Sequence, residues 1–194
     1  MKRQLVLMMA AAVTASGVLA GAQRQTQPPA PTPQTAAPGQ GDSKSAKVAD
    51  QAFVKDAAMG GMAEVELGKL ASQKASNPQV KAFGQRMVTD HGQAGEELKS
   101  LAASKQIVLS TSIDSKHQAV HDRLAKLSGA EFDRAYITEM IAGHKKVAAD
   151  FNEESVSGND SDVKAWAAKT LPTVREHLRM VEELDKDLSA RPIN

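Results

Sequence analysis

The chain has 194 residues, a formal charge of +1 and no cysteine. That length holds one domain plus attachments, and the near-neutral charge excludes nucleic acid as the main partner, since phosphate binding needs a basic surface. Without cysteine there are no disulfides, no thiolate metal ligands and no cysteine nucleophile.

Residues 1–22 read as a secretory signal. Lys2 and Arg3 open it, Leu5 to Leu19 is an apolar run too short for a comfortable membrane span, and Ala20-Gly21-Ala22 precedes a cleavage point at Gln23. The alternative is a retained amino-terminal anchor. Cleavage leaves the mature chain at −1 (+1 − 2), periplasmic or secreted, with no membrane span. Residues 23–49 follow as a disordered linker. Pro28, Pro29, Pro31, Pro33 and Pro38 make it semi-extended, and it has too little apolar bulk to order itself. Such an arm could also serve an envelope partner.

The domain is expected over 50–189. Its first long helix runs from about Asp50, a cap, to Ser76, with Phe53, Ala57, Gly60, Glu64, Leu67 and Leu70/Ala71 on its inner face. Gly60, Gly61 and Gly68 weaken it by about 1 kcal/mol each, which calls for a closely approaching neighbour. Asn77-Pro78 stops that helix and starts the second, to about Lys105, with Val80, Phe83, Met87, His91, Ala94, Leu98 and Leu101 inside. A connection follows, with a cap near Asp114 and a short helix over Lys116–Leu127. His117 and His121 stand at i, i+4 on it, a metal-clamp spacing that lacks a third ligand and reads as a solvated face. Ser128-Gly-Ala-Glu131 is a capping-box pattern opening the third long helix, to about Ser157, with Tyr136, Met140, His144, Val147 and Phe151 inside. Gly158 and Asp160 end it and cap the fourth, Ser161 to Leu188, which carries His177 inside and Pro172, expected to kink it near 168–171.

Four striped helices joined by short, long and short connections predict an all-α, ferritin-like four-helix bundle with a short extra helix in the crossover. Glu64, His91, His144 and His177 each lie near the middle of their helix, so all four meet at one depth. Asp90, Glu139 and Glu176 stand beside that level, and Met87 and Met140 one turn before a histidine. A carboxylate and three imidazoles in a core are costly unless paired or bound. They suit a divalent ion such as iron, zinc, manganese or copper. The alternative is a metal-free polar layer that fixes register or senses pH. A standard di-iron site uses Glu-x-x-His on two helices, whereas Val88, Ile141 and Val174 stand three residues before the histidines. No phosphate loop, metalloprotease motif or nucleophile elbow is present, and no catalytic residue is assigned.

Met87-Val-Thr-Asp-His91, Gly129-Ala-Glu-Phe-Asp-Arg-Ala-Tyr-Ile137 with His144, and Thr170-Leu-Pro-Thr-Val-Arg-Glu-His-Leu178 resemble the bacterial exported family known as domain of unknown function 4142. The resemblance covers about 50–188. It implies a ferritin-like bundle, export, and recurring histidines at His91, His144 and His177, and no established reaction. The reading is an exported bundle protein binding a metal or small ligand, in metal handling or stress response. The alternative is a non-enzymatic envelope protein with a buried His/Glu layer. The oligomeric state stays open.

Overall fold

A computed structural model describes residues 40–190, so the expected signal segment and the linker up to residue 39 lie outside the described residues. Five helices follow in order: α1 (Gln40–Lys74), α2 (Pro78–Ser104), α3 (Ser115–Ala125), α4 (Gly129–Ser157) and α5 (Ser161–Ser189). Among the described residues there is no strand. Helix α1 packs chiefly on α2 and α4 chiefly on α5, while α3 lies in the crossover against α1 and α4. This is the ferritin-like four-helix bundle with its extra helix between the pairs.

Helix α1 starts ten residues before the expected Asp50, so 40–49 is helical and not linker. No proline stands between Pro38 and Pro78 to stop the helix from extending backward. Asp50 is therefore not a cap of its own helix. Its carboxylate accepts from the Asn159 and Asp160 backbone N–H groups at 3.2 and 2.7 Å, across the bundle. The caps at Asn77, Asp114 and Asp160 each accept backbone N–H groups as their turn chemistry requires. Ser128 stands at the α4 N-cap, but its side chain makes no capping bond. The next residue, Gly129, has φ +60°, a turn that glycine enters without a Cβ clash. Helix α5 continues through Pro172.

The glycines divide. Gly68 and Gly84 set the α1–α2 approach: a Cβ on Gly68 would lie 2.6 Å from the Gly84 carbonyl oxygen, and one on Gly84 2.7 Å from the Ala71 Cβ. Gly60 and Gly61 have nothing within 4 Å, so close approach explains only one of the three expected sites in α1.

Two apolar clusters fill the interior. One gathers Leu67, Leu70, Phe83, Met87, Phe132 and Tyr136; the other gathers Val54, Leu98, Phe151, Val163, Trp166 and Leu171. On every long helix the polar residue expected inside falls between the two clusters.

The two helix pairs also repeat one another in sequence. Asp133 of α4 accepts from the Ser76 and Asn77 backbone N–H groups at 3.1 and 2.9 Å and from the Ser76 hydroxyl at 2.5 Å. That is the counterpart of Asp50 holding Asn159 and Asp160, and the numbers differ by a constant 83 (133 − 50, 159 − 76, 160 − 77). The same offset aligns Asp50-Gln-Ala-Phe-Val54 with Asp133-Arg-Ala-Tyr-Ile137, and Val80-Lys-Ala-Phe83 with Val163-Lys-Ala-Trp166. The bundle is thus two copies of one helical hairpin, each holding the turn of the other.

Candidate functional site

Four side chains converge between the apolar clusters, one from each long helix. Glu64 Oε2 lies 2.6 Å from His91 Nε2 and 3.5 Å from His144 Nε2. The ring centroids of His91, His144 and His177 stand 5.2 to 5.7 Å apart. One nitrogen from each of the three rings can be chosen so that all lie within 4.8 Å of one another. Phe83 lies against this layer, its ring centroid 6.5 Å from that of His144 and 6.4 Å from that of His177. His144 and His177 are fully buried, and Glu64 is 8% exposed.

The outward sides of two rings are occupied. His144 Nδ1 lies 2.9 Å from the Met140 carbonyl oxygen. A carbonyl only accepts, so Nδ1 carries the proton and Nε2 is left with a lone pair. His177 Nε2 lies 2.8 Å from Asp90 Oδ2, so by the same reasoning Nε2 donates and Nδ1 is bare. Asp90 is held in turn by Arg86 at 3.0 Å. The inner atoms are His144 Nε2, His177 Nδ1, His91 Nε2 and Glu64 Oε2, and none makes a protein hydrogen bond among the described residues. The His91–Glu64 approach is short but its N–H is out of line, so it is an attraction of charges more than a hydrogen bond. His144 Nε2 and Glu64 Oε2 are two acceptors 3.5 Å apart.

Electrostatics sets the protonation. Burial lowers His144, with the His91 charge adding to it against the pull of Glu64. Burial likewise pushes His177 down to about 4 despite the Asp90 hydrogen bond. Burial would also lower His91, but the Glu64 charge prevails and raises it. Burial would raise Glu64, yet the three histidines hold it down to about 2. At neutral pH the layer therefore holds a carboxylate, two neutral imidazoles and one imidazole drawn toward its charged form.

The other expected residues divide as well. Asp90 buttresses His177, and Met140 supports His144 through its carbonyl rather than its sulfur. Met87 is part of the apolar cluster. Glu139 is not at the site: it pairs with Arg123 of the crossover helix. Glu176 is not either, because its neighbour His177 takes the inner face and leaves it outward on Arg179 at 2.6 Å. His117 and His121 pair with Asp114 and Asp122 on the surface, as a solvated face would. Sequence periodicity missed Asp133, and the 83-residue repeat of Asp50 is the signal that marks it. The Tyr136 hydroxyl is also buried without a protein partner, and burial and the Glu64 charge raise its pKa.

None of the described helices is long and apolar enough to cross a membrane. A family model described as "Domain of unknown function (DUF4142)" matches residues 32–184. A comparison with curated proteins finds no match. Among solved structures, a DUF305 fragment from Deinococcus radiodurans aligns with a TM-score of 0.64 and 14% identity, over 72% of this chain and 96% of that one. A "putative secreted protein DUF305" from Streptomyces coelicolor aligns at 0.62 and 13%, over 75% and 97%. A conserved hypothetical protein from Mycobacterium tuberculosis aligns at 0.57 and 14%, over 77% and 96%. At these identities the likeness speaks for the fold alone.

Proposed function

The chain belongs to the DUF4142 family, and from that premise we propose that it is an exported bundle that binds one divalent metal ion at Glu64, His91, His144 and His177. The observation that carries this reading is the pair of neighbouring acceptors, Glu64 Oε2 and His144 Nε2, at 3.5 Å, neither with a protein hydrogen bond among the described residues. Two acceptors at that distance repel unless something positive offsets them. The proton drawn to His91 offsets part of that charge, and a cation coordinated by all four residues would offset all of it. The supports of His144 and His177 fit the same purpose. A ligating histidine usually donates its other N–H to a carboxylate or carbonyl, which fixes the tautomer and ring direction. Three imidazole nitrogens and one carboxylate oxygen suit iron, zinc, manganese or copper. Metal handling in the cell envelope is the role consistent with the signal-like residues 1–22.

Elemental analysis of protein purified from its exported location, beside a His91→Ala/His144→Ala/His177→Ala variant, tests the reading. The wild type should carry about one equivalent and the variant none; equal and negligible metal in both would overturn it. Asp90→Asn should weaken binding by about 10- to 100-fold without abolishing it, as read by competition with a chromophoric chelator. The second reading, a metal-free polar layer, draws on the 2.6 Å approach of His91 to Glu64, an ion pair that needs no metal.

A further inference from the structure

We infer that the site is one of two ion positions defined by the internal repeat, and that it alone carries donors, so that the chain binds a single ion. The inference rests on the metal reading above.

The 83-residue offset assigns each donor a counterpart in the other hairpin. Glu64 maps to Val147, His91 to Val174, His144 to Gly61 and His177 to Ala94. Each counterpart stands three residues from a donor on the same helix. Gly61 precedes Glu64, Ala94 follows His91, Val147 follows His144 and Val174 precedes His177. Neighbouring helices run in opposite directions, and the end of α1 that carries Asp50 also carries the α4–α5 turn. All four displacements therefore point toward that end. Three residues of helix rise about 4.5 Å, close to the ~3.5–4 Å that separates the ions of two-metal sites. The repeat thus places a second, pseudo-symmetric centre where an adjacent ion would lie. Glycine, alanine and valine supply no side-chain donor there. Val174 holds the place, three before His177, where a Glu-x-x-His helix would carry its carboxylate. Gly61 has nothing within 4 Å of an added Cβ, so a side chain can be introduced there.

Titration of metal-free wild-type protein with Co²⁺, followed by elemental analysis and electron paramagnetic resonance, tests this. One ion per chain with the spectrum of an isolated high-spin centre is expected. The symmetry graft Gly61→His, Ala94→His, Val147→Glu and Val174→His should bind two ions with a magnetically coupled signal. Two coupled ions in the wild type would overturn the inference and the count of one, and leave standing that these four residues bind metal. No bound ion in the wild type would overturn both. A graft that is helical by circular dichroism yet still takes one ion would also overturn it. Where the graft does not fold, the wild-type count and spectrum decide alone.

Discussion

The α1–α2 hairpin and the α4–α5 hairpin share one sequence pattern and close in different ways. The first closes on glycine: Gly68 and Gly84 let the two backbones meet with no room for a Cβ. At the same offset the second has Phe151 and Ala167, and its contact is aromatic, with Phe151 and Trp166 ring centroids 5.3 Å apart. Their latches differ too. Asp133, which holds the first hairpin's turn, accepts hydrogen bonds of 3.1, 2.5 and 2.9 Å, against 3.2, 3.4 and 2.7 Å for Asp50. Asp50, which holds the second, has a buried neighbour in Glu154, whose Oε1 makes no protein hydrogen bond. The counterpart of Glu154 is Ala71. A repeated fold can thus keep its architecture while one copy takes on charge and the other takes on tight packing. The polar layer lies where the two copies meet.

Mutations can break or sharpen this contrast. Asp133→Ala should have the largest effect, about 3 kcal/mol of stability, because it removes three hydrogen bonds to a buried carboxylate. Chemical denaturation will read it. Gly84→Ala should cost about 2 kcal/mol by overpacking, and the reverse change in the other hairpin, Ala167→Gly, should cost about 1 kcal/mol through helix propensity. Equal costs would remove the distinction between the two closures. Asp50→Ala should cost about 1.5 kcal/mol, less than Asp133→Ala, since its contacts are longer and its loss relieves Glu154. Glu154→Gln should be the smallest and of opposite sign. Burial, and then the charges of Asp50, Asp160 and Glu153, raise the Glu154 pKa. A carboxyl raised in the folded state is destabilising when ionised, and that penalty fades as the pH falls through the raised value. The substitution should therefore raise Tm slightly at neutral pH, with a gain that shrinks toward acid pH.

Much of this was legible in the sequence, because it depends on local chemistry. Asn77-Pro78, Asp114 and Asp160 announce their own turns, and a period of three and four residues brought Glu64, His91, His144 and His177 to one level. What was not legible depends on distant partners. Asp50 has the composition of a cap, and only the fold reveals that it serves the turn at Asn159. Glu176 lies at the right level, but about 100° of rotation per residue turns it from the inner face toward Arg179, and Glu139 stands five residues, about 7.5 Å, from His144 and pairs with Arg123. The start of α1 was hidden because a polar stretch without proline is as compatible with a helix as with a linker. The tautomers of His144 and His177 require their partners, Met140 and Asp90, to be seen.

The central claim is that one ion is coordinated by Glu64, His91, His144 and His177. X-ray absorption at the metal edge of the loaded protein tests it most directly. The account predicts a first shell with three imidazole nitrogens and at least one carboxylate oxygen, losing one imidazole in each of His91→Ala, His144→Ala and His177→Ala. A shell of oxygen alone, or one unchanged by all three substitutions, would contradict it.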